Sequence, residues 1–176
     1  MTLPLVPQRT TPGFVFSTVD RALYECLAIR KFGQKEMDEF LAFFNTNPPE
    51  CVFCGAKDVK RWDHLFPISK GGDTVLGNMV LACSQCDDSK QGRLFEEWIL
   101  SNAPLSPKSR GVIDLDQRIG KIKEYISHIN YHPRTLEERL NTHELETLNK
   151  IRSGLRETRR DIEKLINDYR ARVDQR

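Results

Sequence analysis

The residues best suited to chemistry in this chain are four cysteines arranged as two pairs. Cys51 and Cys54 form one C-x-x-C knuckle, and Cys83 and Cys86 form a second. Each spacing lets two thiolates face one ion, and two knuckles complete the tetrahedral ligand set that Zn²⁺ prefers. The alternative, four thiols without a metal, needs two matched pairs to arise by chance. We therefore predict a zinc ion that is structural, because four thiolates leave no open position for water.

The stretch between and just after the knuckles carries a second pattern. Trp62 to Asp73 reads W-D-H-L-F-P-I-S-K-G-G-D, and Gly77 to Lys90 reads G-N-M-V-L-A-C-S-Q-C-D-D-S-K. These runs resemble the two halves of the HNH endonuclease motif, in which Asp-His, Pro, Ser and paired glycines precede an Asn, a C-x-x-C, a polar ligand and a Lys. The resemblance leaves both flanks of the chain unassigned.

The resemblance implies a ββα-metal fold, in which two strands and a helix surround one divalent ion. It places Asp63 and His64 at the end of the first strand. Asn78 falls before or at the start of the second strand, and Asp87 at the start of the helix. His64 then resembles the family's general base, while Asp63 and Asp87 match the ligands of the divalent ion. Asn78 matches the residue that braces the loop and orients the histidine.

The chemistry of these residue types agrees with phosphodiester hydrolysis. The unperturbed pKa of histidine suits a base that activates water near neutral pH. Two carboxylates with room for water and phosphate suit Mg²⁺ or Mn²⁺, which would act against the phosphate oxygens and the departing 3′ oxygen. The products that the resemblance implies are a 5′-phosphate and a 3′-hydroxyl.

Asp87 departs from the family pattern, in which Asn or His is more usual at this place. An aspartate can still bind a cation, but it adds negative charge where phosphate must arrive. The neighbouring Asp88 either shares this role or caps the helix, which is the more frequent role of an aspartate at a helix start.

Basic residues surround the motif although the formal net charge of the whole chain is only +2. Such residues beside an acidic metal site suit the positioning of phosphate, although each is also compatible with ordinary solvated surface. The predicted phosphate- or DNA-binding residues are Arg61, Lys70, Lys90 and Arg93.

Two short strands and a helix are expected to hold the motif. The β-type stretches cover 60–62 and 79–82, with a glycine-rich turn between them, and the helix is expected over 90–100. Its apolar side would carry Leu94, Phe95, Trp98 and Ile99.

Two helices are predicted before the motif. The first runs from Ser17 to about Arg30, with Ser17 or Thr18 as its N-cap and Cys26 in the core. The second is marked by apolar residues from Met37 to Phe44, and the prolines that follow cannot continue it.

The C-terminal part is predicted to form a loop and an antiparallel helical hairpin. The loop covers 102–111, and isoleucines at helical spacing between 119 and 129 mark the first helix. Thr135 and Glu138 form a capping box for the next helix, whose apolar residues fall on heptad positions between 148 and 169. The hairpin would pack on itself, on a second copy or on another protein.

Composition limits the compartment and the class of protein. No apolar run is long enough to span a bilayer, and the N-terminus lacks the features of a secretory signal. The expected location is therefore the cytoplasm, where thiols stay reduced and paired cysteines bind metals more often than they form disulfides.

These patterns together predict an α+β, mostly helical fold. A small zinc-bound ββα-metal core would be flanked by an N-terminal helical pair and a C-terminal helical hairpin. The expected domains are an arm with two helices over 1–49, the nuclease module over 50–102, and a linker with the hairpin over 103–176.

The expected function is that of a metal-dependent HNH endonuclease that cuts DNA, with RNA not excluded, in restriction, phage defence or a mobile element. One alternative is a zinc module that recognises nucleic acid or protein without cutting, which has no need of Asp63, His64 and Asp87 together. Another is a nuclease subunit of a larger complex. The C-terminal helices would then supply a homodimer contact or dock a partner protein.

Overall fold

The computed structural model describes residues 11–27 and 31–173 and has the predicted α+β, mostly helical architecture. Its sheet has two antiparallel strands, with helices before and after it. The elements are α1 (Phe14–Leu27), α2 (Gln34–Phe44), β1 (Val59–His64), β2 (Met79–Cys83), α3 (Ser84–Lys90), α4 (Phe95–Ile99), α5 (Leu115–Ile129), α6 (Leu136–Arg139) and α7 (Thr142–Val173). A short 3-10 helix, Ile68–Lys70, lies between the strands.

The described residues fall into two compact units. One contains 22–27 and 31–139, and the other contains 11–21 and 140–173. No helix in either described part is both long and apolar enough to cross a membrane.

The pairing of the two strands determines where the motif residues lie. His64 is opposite Met79 and Asp63 is opposite Val80, so both motif residues occupy the last positions of β1. Asn78 immediately precedes β2. These positions agree with the ββα arrangement expected from the resemblance, because β2 leads directly into α3.

The core of the larger unit contains fully buried aromatic side chains. Phe53 packs edge-on against Trp98 at 5.2 Å between ring centroids, and Phe40 packs against Tyr125 at 5.5 Å. Tyr125 and Ile122 both come from α5 and are fully buried. The apolar face of α5 therefore belongs to the core that supports the motif.

The helix predicted over 90–100 is shorter in the structure, where α4 covers Phe95–Ile99 and a separate helix, α3, precedes it. The second knuckle turns directly into α3, which ends at Lys90. Gln91 then adopts a φ of 51°, which breaks the helix before α4 begins at Phe95. The predicted apolar side is confirmed in α4, since Phe95, Trp98 and Ile99 are buried.

The predictions for α1 are partly wrong. The helix begins at Phe14, and the hydroxyls of Ser17 and Thr18 donate to the Phe14 carbonyl within the helix, so neither is the N-cap. Cys26 is exposed, whereas Tyr24 is the buried residue of this helix. Residues two positions apart on an α-helix point about 200° apart. Cys26 therefore lies on the side of α1 opposite Tyr24. The predicted end near Arg30 lies outside the described residues.

The C-terminal helices have an additional break. The capping box at Thr135 and Glu138 is confirmed, with the Thr135 N–H donating to Glu138 Oε2 at 2.7 Å, but it begins the four-residue α6. The long helix α7 has its own capping box, in which Asn141 and Glu144 bond each other's backbone N–H at 2.8 and 3.0 Å.

Candidate functional site

The four cysteines form a cluster with the dimensions of a metal site. Their sulfur atoms lie within 4.8 Å of one another, and the sulfurs of Cys54 and Cys83 are 3.7 Å apart. A tetrahedral zinc with bonds of about 2.3 Å requires sulfur atoms about 3.8 Å apart. The donor set and its spacing therefore fit a tetrahedral metal ion.

Backbone hydrogen bonds shape the first knuckle around its sulfurs. The Gly55 N–H donates to the Cys51 carbonyl at 2.8 Å, and the Cys51 N–H donates to the Ala56 carbonyl at 2.9 Å. Gly55 has a φ of +75°, and a Cβ there would lie 2.4 Å from the Arg118 guanidinium. The Val52 N–H donates to the Leu81 carbonyl and so ties this knuckle to β2.

The crowded thiols perturb one another. Hydrogen bonds from the thiols of Cys51 and Cys86 lower the pKa of Cys54. The hydrogen bond to Cys54 and burial raise the pKa of Cys51 to about 12. Four thiolates this close repel each other, so a bound cation is the group that would allow all four to ionise together.

Sequence reasoning missed a guanidinium at this cluster. Arg110 Nη2 donates to the sulfur of Cys86 at 2.8 Å, and Nη1 donates to Gln85 Oε1 at 2.9 Å. Burial lowers the pKa of Arg110, but the sulfurs of Cys86 and Cys54 together outweigh burial and raise the pKa overall. Nothing in the spacing of the predicted loop over 102–111 signals this contact.

Asp63 is a buried carboxylate with one oxygen that makes no hydrogen bond. Its Oδ1 accepts a hydrogen bond from the His64 N–H at 2.7 Å. Its Oδ2 is buried without a hydrogen-bond partner, although the Lys90 ammonium lies 3.2 Å away as an ion pair. Burial raises the pKa of Asp63 to about 6 against the opposing effect of Lys90. A carboxylate oxygen that makes no hydrogen bond is a suitable ligand for a hard cation.

Lys90 does not face solvent, contrary to its predicted contact with phosphate. Its side chain is fully buried, its ammonium pairs with Asp63, and it also donates to the His64 carbonyl. Burial lowers its pKa. In this structure Lys90 therefore holds the Asp63–His64 corner from inside the protein.

The imidazole of His64 is half-buried and fixed by a hydroxyl. Its Nε2 is 2.9 Å from Thr74 Oγ1. The hydroxyl can donate to this nitrogen or accept from it, so the hydrogen bond forms in either tautomer of the imidazole. Thr74 was not among the predicted site residues. A ring held on one nitrogen has a defined orientation, which is a requirement for directed proton transfer.

Asn78 braces the loop that follows His64. Its side chain is fully buried, accepts from the Phe66 N–H at 2.7 Å and donates to the Asp73 carbonyl at 2.7 Å and the Phe66 carbonyl at 3.1 Å. Gly72 completes this packing, since a Cβ there would lie 1.7 Å from the Phe66 carbonyl oxygen. All polar atoms of the Asn78 amide are thereby used to shape the loop.

Arg61 bridges the two acidic residues after the second knuckle. Its Nη1 lies 2.7 Å from Asp87 Oδ2 and also pairs with Asp88 Oδ1. Asp87 lies in the first turn of α3, where the N-cap is Cys83 rather than either aspartate. The Arg61 side chain is 42% exposed, so this bridge lies at the surface.

The remaining predicted basic residues lie near the surface. The Lys70 ammonium is 4.0 Å from Glu97 Oε2, and Arg93 donates to the Ser89 carbonyl at 3.2 Å. Both residues are exposed.

The structure does not bring Asp63, His64 and Asp87 together as closely as the cysteines. Within 11–27 and 31–173, only the four cysteines form a group of three or more metal-binding side chains with ligand atoms inside 4.8 Å. The negative charge of Asp87 nevertheless contributes to the raised pKa of Asp63. A cation between these carboxylates would take its remaining ligands from water or phosphate, as Mg²⁺ commonly does.

The comparison with known families agrees with this arrangement. Residues 51–93 match the family model described as HNH endonuclease. The matched segment includes both knuckles, both strands and α3. No curated protein and no solved structure matches the chain with significant similarity.

Proposed function

We propose that this chain is a metal-dependent endonuclease that hydrolyses DNA phosphodiester bonds to 5′-phosphate and 3′-hydroxyl products. The observation that carries the proposal is the Asp63–His64 corner at the end of β1. It joins a buried carboxylate, whose Oδ2 makes no hydrogen bond, to an oriented imidazole, inside a segment that matches the HNH model. A purely structural zinc module has no need of this corner.

We assign the two metals different tasks. Zn²⁺ would be held by Cys51, Cys54, Cys83 and Cys86, the set with tetrahedral spacing. Because this segment is short, zinc would supply much of the free energy that folds it. Asp63 and Asp87 would hold Mg²⁺ or Mn²⁺, which supplies positive charge against the phosphate and the departing 3′ oxygen.

The chain's own residues would perform the proton transfer. His64 accepts the proton of the attacking water on its imidazole, while the hydroxyl of Thr74 limits rotation of the ring. Lys90 and Asn78 act as positioning residues: one binds Asp63 and the His64 carbonyl, and the other shapes the loop that follows.

Three surface cations would position the nucleic acid. Arg61, Lys70 and Arg93 are all exposed, as phosphate contacts require. Lys90 was also predicted to contact phosphate, but its buried side chain cannot reach the nucleic acid. These contacts act on any backbone phosphate and carry no sequence selectivity.

The proposal for the biological setting is based on the helices that flank the motif. The exposed apolar residues Leu165 and Tyr169 on α7 offer a surface for a second copy or a partner protein that selects the target. We place the activity in restriction, phage defence or a mobile element in the cytoplasm, where reducing conditions keep the four thiols available for zinc.

Plasmid cleavage by zinc-loaded protein tests the proposal directly. Wild type should relax or linearise plasmid with Mg²⁺ or Mn²⁺ and not without them, while His64→Ala should lose at least about 100-fold in rate. His143→Ala, which changes an exposed histidine on α7, is the matched control and should cut like wild type. Metal-dependent cutting by His64→Ala would refute the assigned base. Binding of DNA by wild type without any cleavage would favour the non-cutting zinc module.

A further inference from the structure

We propose that Arg110 is a positioning residue of the cysteine cluster, where its guanidinium neutralises thiolate charge and sets how tightly the metal is held. The inference rests on the zinc site proposed above. Arg110 Nη2 donates to the Cys86 sulfur at 2.8 Å, and the guanidinium also lowers the pKa of the Cys54 thiol. One side chain thus acts on one cysteine from each knuckle.

The loop that carries Arg110 is built to hold it in place. Ser106 is fully buried, and its hydroxyl donates to the Ser101 carbonyl at 2.7 Å. The Arg110 N–H in turn donates to the Ser106 carbonyl at 3.1 Å. A second anchor joins the loop to α3, because the Ser89 hydroxyl donates to the Pro104 carbonyl at 2.6 Å. These bonds reduce the entropy lost when the guanidinium docks.

The guanidinium is oriented toward the sulfurs rather than toward a carboxylate. Its Nη1 is held by Gln85 Oε1 at 2.9 Å, inside the second knuckle, and its Nε is buried without a partner. Arg118, the other arginine beside the cluster, pairs with Asp114 at 2.8 Å and Glu50 at 3.5 Å. Arg118 reaches only the Cys51 backbone carbonyl, at 3.4 Å.

The charge of the loaded cluster explains why a guanidinium is useful there. Four thiolates and one Zn²⁺ carry a formal charge of −2. A charge-assisted N–H···S bond spreads this charge, and partial burial keeps solvent ions from screening it. Without the guanidinium, the sulfurs of Cys86 and Cys54 are more basic and react more readily with protons and electrophiles. The metal then leaves more readily.

Zinc release from the full-length protein measures this contribution. Zinc-loaded wild type, Arg110→Gln, Arg110→Lys and Lys108→Gln would be mixed with excess chelator and a colorimetric zinc indicator. Arg110→Gln should release zinc about 10–100-fold faster than wild type. Arg110→Lys keeps the charge but loses the planar fork, and should fall between them. Lys108→Gln removes an exposed charge from the same loop and should match wild type.

Cobalt substitution separates a bond to sulfur from a merely structural role of the loop. Loss of an N–H···S bond raises the energy of the sulfur lone pairs, so the thiolate-to-Co²⁺ charge-transfer band of Arg110→Gln should move to lower energy. Faster zinc release with an unmoved band would overturn the inference, as would wild-type behaviour in both measurements. If Arg110→Gln fails to fold by circular dichroism, Arg110→Lys gives the same two readouts. Wild type that binds neither metal would overturn the zinc site and this inference with it.

Discussion

The ammonium of Lys90 lies 3.2 Å from Oδ2 of Asp63, and both side chains are buried at the end of β1. The same ammonium donates to the backbone carbonyl of His64. One cation therefore holds two consecutive motif residues from beneath. Its position makes Lys90 part of the support of the site, although its place in the motif suggested a phosphate contact.

Removing the Lys90 charge should destabilise the protein strongly. Lys90→Met leaves the buried Asp63 carboxylate without its cation, and breaking one partner of a buried pair costs about 3–5 kcal/mol. The double variant Lys90→Met/Asp63→Asn should recover much of this loss, because no unpaired charge remains. Urea unfolding of the zinc-loaded proteins measures the free energy of unfolding of both variants.

The control, Lys123→Met, breaks the exposed pair with Glu96 and should cost under about 1 kcal/mol. Equal losses for Lys90→Met and Lys123→Met would refute this account.

The raised pKa of Asp63 predicts a pH dependence of stability. Because its folded pKa of about 6 exceeds the ordinary aspartate value of 3.8, protonated Asp63 favours the folded state, and this contribution is lost as pH rises through about 6. Between pH 5.5 and 7.5, zinc-loaded wild type without Mg²⁺ should lose about 1 kcal/mol relative to Asp63→Asn. Parallel unfolding curves at each pH test this. A constant difference between the two proteins across the window would contradict the prediction.

The packing of Gly72 predicts a second structural dependence. A Cβ at this position would lie 1.7 Å from the Phe66 carbonyl oxygen and 2.9 Å from the Asn78 amide, both of which are held in the braced loop. Gly72→Ala should therefore cost about 1–3 kcal/mol or more and lower nuclease activity with it. Gly92→Ala is the control, since a Cβ there meets nothing within 4 Å. Thermal unfolding of the two variants side by side gives the comparison.

The parts of the site that the sequence predicts are those with local spacing. Two C-x-x-C knuckles and an Asp-His pair are short-range patterns, and the family resemblance that they carry implies the ββα arrangement. The burial of Lys90 depends instead on where α3 meets β1. Arg110 reaches Cys86 across a folded loop, and no periodicity connects these positions. Cys26 was misplaced because apolar character alone does not say which side of α1 meets the core.

The C-terminal helices show the same limit at a larger scale. The isoleucines of α5 predict an amphipathic helix correctly, but periodicity does not name the surface that covers it. In the structure, Ile122 and Tyr125 pack into the hydrophobic core. The break before α7 was overlooked because the capping box at Thr135 is followed closely by another at Asn141. Two start signals so near each other indicate two helices.

The bridge from Arg61 to Asp87 predicts a competition between protein and metal cations. Since Asp87 would bind Mg²⁺ or Mn²⁺, the Arg61 guanidinium must give up this carboxylate when the metal enters. Exposed ion pairs are weak, so Arg61→Gln should tighten Mn²⁺ binding by only about 1.4- to 5-fold. The same variant should bind DNA more weakly and with a shallower salt dependence, because a phosphate contact is lost. Calorimetry with Mn²⁺ and DNA titrations at several salt concentrations measure the two effects.

The control is Lys60→Gln, which removes another exposed cation from β1, one that pairs with Asp58. It should leave the Mn²⁺ affinity unchanged. Weaker Mn²⁺ binding by Arg61→Gln would mean that Arg61 supports Asp87 as a ligand instead of competing for it.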